Sequence, residues 1–530
     1  MIYVVGSGPS GVACAHALLN QGLEVTMLDS GLELEIERSS LLDKLSKTTP
    51  DTWDKNDIFT IKGNTKVSPS GTFTKGVYGS DFPSRETDKY FPNHTKNTQL
   101  RMSLAKGGLS NIWGAAILPY IDEDIRDWPI KVKDLQKHYE AAISLMDIAG
   151  TNDDLSLKFP LYTNQCQSIN YSNQAKALMS DLTKSKNTLN TNGFNFGYSR
   201  VAIRTESKNE KSGCTYCGLC HYGCPYEAIY NSSFTLNELL KHEKFQYIKD
   251  IIVQKISESN GKVNIYAVSR LNNESIAFTG ERAYLACGVI PTTKIVLESL
   301  EAYNKKIVMK DSQWFLMPLI RYDKTPDVLN EKLFTLSQIF IELFDKSLSK
   351  NTINLQVYTY NDLYLSAIKN TPLKYFLPVL GYPISELLGR LVMVMGYLHS
   401  NDSSQILVEL EKSNNDKPNK LFFEAQINND VKSIVNSVYK KFFDYRDIFK
   451  AIPIPGITKI PNPGYGSHSG STFPMRDKPH ELETDTLGRP YGLNKVHIVD
   501  ASIFPSIPAT TITLTTMANA HRIASRYNDI

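Results

Sequence analysis

Four of the seven cysteines lie close together in the sequence. They form the run Cys214-Thr-Tyr-Cys217-Gly-Leu-Cys220-His-Tyr-Gly-Cys224-Pro225, which has the C-x2-C-x2-C-x3-C-P spacing of bacterial ferredoxins. Thiolates at this spacing bind iron–sulfur clusters, and in the cytoplasm such thiols favour metal binding over disulfide formation. The run therefore predicts a metal site with four ligands, Cys214, Cys217, Cys220 and Cys224.

The spacing leaves the type of cluster open. In two-cluster ferredoxins the fourth cysteine of such a run binds the other cluster, and this chain has no second run. Three of the cysteines could hold a 3Fe-4S cluster, or a 4Fe-4S cluster could take its fourth ligand from Cys224 or from the distant Cys166. A loop of free thiols or a zinc knot is the alternative without a cluster.

A second motif lies at the start of the chain. Gly6, Gly8 and Gly11 stand in G-x-G-x-x-G register between a predicted strand at residues 2–5 and a predicted helix at residues 12–21. In such a loop the first glycine permits a tight turn, the second lets the backbone approach a pyrophosphate, and the third lets helix and strand pack closely. The N-terminus of the helix then directs unpaired N–H groups towards the phosphates.

An acidic residue follows where this motif needs one. Asp29 ends the predicted strand Leu23–Leu28, about 20 residues beyond the glycines, where a carboxylate binds a ribose hydroxyl. The glycines and Asp29 together predict a bound dinucleotide, with FAD and NAD as the candidates.

The whole chain has the composition of a globular protein. It contains 530 residues, of which 41% are apolar, and its 58 basic and 55 acidic residues leave a net charge of +3. Such a balance makes nucleic acid an unsuitable partner. Since a strand is predicted from Ile2, no room remains for a signal peptide, and we expect a cytoplasmic protein. The apolar tract Tyr375–Tyr397 is interrupted by prolines and charges, which favours a buried or partner-facing helix over a membrane span, with membrane-surface contact as the alternative.

The order of predicted elements indicates an α/β fold. Residues 247–288 read as a meander that returns to a parallel sheet, and Val496–Asp500 reads as a late strand followed by a helix from about Thr513. We predict a dinucleotide-binding domain at residues 1–299, which includes a cysteine-rich loop at 205–232. A mixed-sheet substrate or cap domain follows at residues 300–455, and residues 456–530 return to the first domain.

Further segments of the chain resemble one enzyme family. These segments are Lys106-Gly-Gly-Leu-Ser-Asn-Ile-Trp-Gly114, Asp127-Trp-Pro-Ile130, Leu285-Ala-Cys-Gly288 with Pro291, and Val499-Asp-Ala-Ser-Ile-Phe-Pro505. In order and spacing they are similar to the glucose-methanol-choline (GMC) oxidoreductases, which are FAD enzymes that oxidise alcohols. The resemblance favours FAD over NAD and implies a Rossmann-like FAD-binding domain. It also implies flavin contacts at Gly107, Gly108, Ser110, Asn111 and Asp500.

The same resemblance indicates a catalytic histidine. His468, in Gly466-Ser-His-Ser-Gly-Ser-Thr-Phe-Pro-Met475, is similar in position to the histidine of the family's H-x-x-G-T-x-x-M motif, although Ser471 replaces the usual glycine. Alcohol oxidation needs a base for the hydroxyl proton, and imidazole titrates in a suitable range. Where the family usually has a second His or Asn, this chain has Thr511, which can hydrogen-bond a substrate oxygen but cannot act as a base.

Together these features predict an FAD-dependent alcohol dehydrogenase with His468 as base. A sugar, polyol or glycoside is the expected substrate, and a hydrophobic alcohol such as a sterol or long-chain alcohol at a membrane surface is the alternative. We expect the cysteine loop to relay electrons to an external acceptor protein or a quinone, because certain sugar dehydrogenases of the resembled family are associated with an iron–sulfur centre. A catalytically weak flavoprotein redox subunit is a further alternative, since it would explain the missing second polar residue.

Overall fold

The computed structural model describes residues 1–63, 77–208, 210–369, 383–413 and 418–529. The strands are β1 (Ile2–Val5), β2 (Val25–Leu28), β3 (Asn93–Lys96), β4 (Phe194–Tyr198), β5 (Phe245–Ile248), β6 (Ile251–Ser259), β7 (Lys262–Ser269), β8 (Ser275–Gly280), β9 (Arg282–Leu285), β10 (Ile307–Asp311), β11 (Trp314–Arg321), β12 (Ile339–Leu343), β13 (Ile353–Tyr358), β14 (Leu391–Tyr397), β15 (Gln405–Glu411), β16 (Lys420–Gln426), β17 (Ala451–Pro453), β18 (Ser469–Gly470) and β19 (Val496–Ile498).

The helices alternate with these strands along the chain. They are α1 (Pro9–Leu19), α2 (Ile36–Ser46), α3 (Lys55–Lys62), α4 (Thr87–Tyr90), α5 (Val132–Ser144), α6 (Asn173–Lys184), α7 (Lys186–Thr191), α8 (Ser232–Leu239), α9 (Val289–Ser299), α10 (Asp362–Lys369), α11 (Ile384–Arg390), α12 (Asp430–Asp444), α13 (Arg446–Phe449) and α14 (Ile512–Ala524). In the described part of the chain, none of them is both long and apolar enough to cross a membrane.

A five-stranded parallel sheet forms the first layer, in the order β19-β9-β1-β2-β5. All four residues of β1 are buried, as expected for a strand covered on both faces. Helices α1 and α14 pack against each other, so the end of the chain returns to the sheet that its beginning forms. This arrangement confirms the predicted α/β fold.

The meander predicted at residues 247–288 has different boundaries from those expected. The first apolar run of this segment, residues 247–252, is divided at Asp250, which adopts a left-handed conformation with φ of 62°. The residues before it belong to β5 of the parallel sheet, whereas β6, β7 and β8 form a separate antiparallel sheet. A turn at Asp250 thus sends one hydrophobic run into two sheets.

Two further sheets confirm the predicted mixed-sheet architecture. One has the order β18-β10-β15-β16-β3, in which only the pairing of β16 with β3 is parallel. The other is antiparallel, with the order β17-β11-β14-β13-β12-β4. We call this six-stranded sheet the cap sheet.

The apolar tract at 375–397 was predicted to be a buried or partner-facing helix, and its described part does not form one helix. Residues 370–382 lie outside the described residues, residues 384–390 form the short α11, and residues 391–397 form β14. β14 pairs with β11 on one side and β13 on the other, so its backbone is satisfied within the cap sheet. An apolar run of this length does not distinguish a buried strand from a buried helix.

Candidate active site

A cavity of about 980 Å³ lies between the parallel sheet and the cap sheet. One wall consists of the glycine loop after β1, the segment around residues 100–116 and the start of α9, and the opposite wall includes β11, β13 and β14. Ligands of open α/β sheets bind at the carboxyl ends of the parallel strands, which is where this cavity lies. Its size is at the upper end of ordinary small-molecule sites, which extend to about 1,000 Å³.

The three glycines of the dinucleotide motif occupy three different environments. Gly6 has φ of +101°, and a Cβ placed on it would lie 2.6 Å from the carbonyl oxygen of Ala286. A Cβ on Gly11 would lie 1.9 Å from the carbonyl oxygen of Gly6, so this glycine is required for packing of α1 against the turn. A Cβ on Gly8 would meet nothing within 4 Å, and Gly8 lines the cavity. The loop therefore fits a ligand group that approaches the backbone at Gly8, as a pyrophosphate does.

Asp29 lines the same cavity at the end of β2. Its carboxylate accepts hydrogen bonds from the Ser7 backbone N–H at 3.2 Å, from the Ser7 hydroxyl at 2.6 Å and from the Tyr247 hydroxyl at 2.9 Å. Burial raises the pKa of Asp29 to about 6, against the opposing effect of these donors. A ribose hydroxyl would have to share the carboxylate oxygens of Asp29 with Ser7 and Tyr247. The sequence motif did not identify these two donors.

The segment predicted to contact the flavin lies against the glycine loop. The Gly107 N–H donates to the Ser7 hydroxyl at 2.9 Å, and a Cβ on Gly108 would lie 3.3 Å from the Gly8 Cα. Ser110 donates to the Gly107 carbonyl at 2.5 Å, and the Asn111 amide donates to the Gly108 carbonyl at 2.7 Å. The two side chains thus hold the loop in shape, while Gly108 and Ser110 line the cavity.

Asp500, in the C-terminal part of the chain, also lines the cavity. Its carboxylate accepts hydrogen bonds from the Gly288 N–H at 3.0 Å, the Thr292 hydroxyl at 2.5 Å and the Ser502 N–H at 3.0 Å. Asp500 therefore ties the start of α9 to the segment after β19, and both parts line the cavity.

His468 lies across the cavity, next to the cap sheet. Its ring stacks on Tyr397 of β14, with centroids 4.8 Å apart and planes at 21°. The imidazole is partly exposed to the cavity, and its Nδ1 is buried without a hydrogen-bond partner among the described residues. Burial lowers the pKa of His468 to about 4. At neutral pH the ring is uncharged, as a proton acceptor must be.

Thr511 also lines the cavity, but its hydroxyl is engaged within the protein. The Thr511 Oγ1 accepts a hydrogen bond from the Leu118 N–H at 2.7 Å, and it also lies 3.4 Å from the Leu118 carbonyl oxygen, to which it donates. The side chain is buried just before α14 begins. The predicted contact with a substrate oxygen would require this hydroxyl to leave or share Leu118.

Sequence reasoning missed the polar residues of the cap sheet. The Tyr358 hydroxyl donates to the Gln356 side-chain oxygen at 3.1 Å, and both residues line the cavity from β13. A Cβ on Gly114 of the predicted flavin loop would lie 3.8 Å from the Tyr358 hydroxyl. The Tyr358 ring is 6.2 Å from that of His221, which also lines the cavity. The alternation of polar residues along β13 indicates that one face of the strand is polar, but it does not indicate what that face contacts.

The cysteine run forms a second, smaller site. Cys214, Cys217, Cys220 and Cys224 all line one small cavity, and none of the four is in a disulfide. His221 directly follows one of them in the sequence, so the loop contributes to the walls of both cavities. Among the described residues, no group of three or more His, Cys, Asp and Glu side chains is placed to hold a metal ion.

Comparisons with known proteins agree with this geometry. The sequence model of the family described as GMC oxidoreductase matches residues 462–520, which include His468, Asp500 and Thr511. The structure is similar to pyridoxine 4-oxidase from Mesorbium loti, with a TM-score of 0.60 and 12% identity over 100% of this chain and 99% of that one. It is also similar to a formate oxidase variant from Aspergillus oryzae, with a TM-score of 0.61 and 13% identity over 100% and 98% of the two chains. A comparison with curated protein sequences gives no match.

The parallel sheet, its glycine loop and the cavity fit a bound dinucleotide. The match at residues 462–520 supports an FAD-dependent oxidoreductase, in agreement with the resemblance of the motifs to the GMC oxidoreductases. At 12–13% identity the solved structures establish the fold over the full length of the chain.

Proposed function

We propose that the protein is an FAD-dependent dehydrogenase that oxidises an alcohol group of an amphipathic substrate, with His468 as the base. The observation that carries the proposal is the position of His468. Its imidazole faces one cavity whose opposite wall is the glycine loop and whose side is the cap sheet.

The residues of the first wall fit FAD. The open space at Gly8 accommodates the pyrophosphate next to the first turn of α1, and Asp29 lies where a ribose hydroxyl is bound in this type of loop. Gly108 and Ser110 then form the surface on which the flavin ring would lie. When bound, FAD supplies the acceptor for the hydride that leaves the alcohol carbon.

His468 supplies the other half of the reaction. Oxidation of an alcohol to a carbonyl removes a hydride from carbon and a proton from oxygen, so a base must accept one proton for each hydride transferred. Because its pKa is lowered to about 4, the His468 imidazole is unprotonated at neutral pH and available to accept that proton. The stacking on Tyr397 restricts the orientation of the ring.

The part of the cap sheet that lines the cavity is polar along β13 and apolar along β14 and β11. On β13 it presents Gln356 and Tyr358, whereas the residues paired with them on β14 are Met395 and Met393. The next strand, β11, continues the apolar surface with Leu316, Pro318 and Ile320.

The polar residues of β13 beside the apolar residues of β14 and β11 support a substrate that has both polar and apolar parts. Its hydroxyl groups would meet Gln356 and Tyr358, and its apolar body would cover the methionines of β14 and the aliphatic face of β11. Among the substrates expected from the sequence, a glycoside with an apolar aglycone matches this surface better than a free sugar or a pure hydrocarbon alcohol.

A homologous substrate series tests the proposal. Flavin bleaching without oxygen is measured with glucose, with methyl, butyl and octyl glucosides, and with 1-octanol. Each buried CH₂ contributes about 0.8 kcal/mol, so the second-order rate constant should rise by about fourfold per methylene until the apolar face is covered. Ile320→Ser should flatten the series, whereas Gln356→Ala should slow the glucosides more than 1-octanol.

Each outcome of this series has a definite meaning. Equal rates for methyl and octyl glucosides would remove the apolar part of the proposal, and bleaching by 1-octanol alone would remove the polar part. If no alcohol bleaches the flavin of a protein that retains FAD, the alternative of a redox subunit replaces that of an enzyme.

We infer that electrons leave the reduced protein through the cysteine loop, to an external acceptor that is either a one-electron carrier protein or a quinone, which takes up two electrons to become a quinol. The supporting observation is that residues 214–224 line the small cysteine cavity and, through His221, the large cavity. Two electrons are released for each alcohol oxidised, so each turnover reduces two molecules of a one-electron carrier or one quinone. Turnover with ferricyanide that exceeds turnover with oxygen would support this exit.

A further inference from the structure

A chain of side-chain hydrogen bonds runs through the cap sheet to the wall of the large cavity. Asn354, Gln356 and Tyr358 stand at alternate positions of β13, so their side chains lie on one face of the strand. The register of β12 and β13 places Glu342 directly opposite Asn354. Gln356 and Tyr358 line the cavity, whereas Glu342 and Asn354 are fully buried within the protein.

The hydrogen bonds of this chain all point in the same direction. The Tyr358 hydroxyl donates to the Gln356 side-chain oxygen at 3.1 Å, and the Gln356 amide donates to the Asn354 side-chain oxygen at 3.2 Å. The Asn354 amide in turn donates to the Glu342 carboxyl. The other carboxyl oxygen of Glu342 is buried without a hydrogen-bond partner among the described residues. The chain thus begins at the cavity and ends at a buried acid.

The group at the buried end decides the direction of such a chain. The amides of Asn354 and Gln356 each have one donor side and one acceptor side, and a tyrosine hydroxyl can donate or accept. An ionised Glu342 can only accept, which commits the Tyr358 proton to Gln356. A protonated Glu342 can donate to the Asn354 oxygen, and the chain reverses when both amides turn over.

We propose that Glu342 is a positioning residue that determines whether Tyr358 accepts or donates a hydrogen bond at the cavity. With Glu342 ionised, the Tyr358 oxygen accepts a hydrogen bond from a substrate hydroxyl. With Glu342 protonated, the reversed chain lets Tyr358 donate to a substrate oxygen instead. The part that concerns the substrate rests on the proposed function, whereas the direction of the chain is a property of the protein alone.

The surroundings of Glu342 allow both of its protonation states near neutral pH. Burial raises its pKa to about 8, against the opposing effect of the Asn354 donor. The negative charge of Asp124 raises the pKa further, and the positive charge of Arg200 lowers it. The Arg200 guanidinium also lies 3.7 Å from the Asp153 carboxylate.

Other titratable side chains surround the two ends of the chain. The His399 Nε2 lies 3.0 Å from the Asp124 carbonyl oxygen, near the Glu342 end. Near the Tyr358 end are the His221 ring, 6.2 Å away, and Tyr364 and Tyr397, whose pKa values burial raises above the ordinary range. A substitution of Glu342 leaves all of them in place, so it separates their titration from that of the carboxyl.

Infrared difference spectra of the flavin-containing protein test the direction of the chain without substrate. Between about pH 6 and 10, wild-type protein should lose the band of a protonated carboxyl with a midpoint at about 8. The C–O band of Tyr358, identified by its absence from Tyr358→Phe, should shift over the same range. Glu342→Gln should show neither change. The matched variant Asp124→Asn should show both at a lower pH, because a negative charge near Glu342 is removed.

Flavin bleaching by octyl glucoside and its mono-O-methyl ethers tests the consequence for the substrate. A methoxy oxygen accepts a hydrogen bond but cannot donate one. Above the midpoint, the ether at the hydroxyl that contacts Tyr358 should therefore react up to about tenfold more slowly than the parent glucoside. The difference should shrink below the midpoint, and in Glu342→Gln it should not change with pH.

Three results would overturn the role of Glu342. They are a Tyr358 band that stays fixed with pH in the wild-type protein, an equal shift in Glu342→Gln, and a rate ratio that is the same at every pH. If no glucoside bleaches the flavin, the proposed function fails, and the infrared spectra still decide the direction of the chain. Flavin content and circular dichroism show whether each variant has folded, and the wild-type spectra decide if Glu342→Gln does not fold.

Discussion

The glycine loop at residues 6–11 and the cysteine loop at residues 214–224 each line a cavity but are held in place by different means. In both, a glycine has a positive φ, +101° at Gly6 and +76° at Gly218. The glycine loop joins β1 directly to α1, and both elements are buried in the parallel-sheet layer. The cysteine loop contains no regular element and forms a single β-bridge, from Cys217 to Leu333.

Distant segments therefore support the cysteine loop. The Arg204 guanidinium donates to the carbonyl oxygens of Ser212 at 2.9 Å and Tyr226 at 3.0 Å. The Tyr226 ring stacks on Trp53, with centroids 5.7 Å apart. The glycine loop is therefore built by neighbours in sequence, whereas the cysteine loop depends on contacts across the fold.

A substitution in the glycine loop should have the largest effect, because it should remove the flavin and leave the cysteine loop unchanged. Gly8→Val should give a folded, colourless protein, because Gly8 has φ of −63° and an added Cβ meets no protein atom, so the side chain fills only the ligand's space. Absorbance spectra measure the bound flavin, and circular dichroism shows whether the variant has folded. The matched variant Gly11→Ala should instead reduce folding, since its Cβ would lie 1.9 Å from the Gly6 oxygen. A yellow Gly8→Val protein would contradict the assignment of the loop.

The reciprocal variant tests the cysteine loop. Cys217→Ser should leave FAD bound and flavin bleaching by substrate intact, because the glycine loop does not depend on the thiols. Turnover with ferricyanide should then stop. Loss of flavin in this variant would show that the folding of the two loops is coupled.

His468→Ala should have the next largest effect. Removal of a general base slows proton transfer by about 10² to 10⁴, and flavin content should not change. In the wild-type protein, bleaching should be constant above the lowered pKa of His468 and decrease as the pH falls through about 4. Between the ordinary histidine pKa and about 4, the unfolded chain binds more protons than the folded chain, so the free energy of unfolding also decreases as the pH falls. Thermal unfolding measured at each pH is the control for this effect. A decrease centred near the ordinary pKa would assign the proton to another group.

The smallest effects compare Tyr358 with Thr511. Tyr358→Phe should slow bleaching by about tenfold, because a hydrogen bond to substrate oxygen contributes roughly 0.5–1.5 kcal/mol. Thr511→Val should leave the rate nearly unchanged and destabilise the protein by about 1–3 kcal/mol, since the Leu118 N–H would lose its buried acceptor. Bleaching rates and urea unfolding measure the two variants, and the opposite pattern would restore Thr511 as the substrate contact.

The sequence allowed accurate prediction where chemistry and local structure coincide. The glycine spacing predicted β1 at its observed limits and α1 with a start three residues too late. The last apolar strand and helix were found at β19 and α14, within two residues of the predicted limits. The apolar tract that became α11 and β14 was misread, because its pairing partners lie on β11 and β13. Tyr247 and Tyr358 were missed, because a tyrosine near a ligand has no spacing rule that marks it.

The dinucleotide loop, the family motifs, His468 and the cysteine run can be recognised in the sequence alone. Each of these depends on backbone conformation or side-chain chemistry within a few residues. The three-dimensional structure was needed to show that Cys224 joins the other three cysteines while Cys166 does not, that the Thr511 hydroxyl bonds Leu118, and that Gln356 and Tyr358 line the cavity. The physical reason is that these contacts join residues far apart in the chain, whose distances are set by sheet registers and packing.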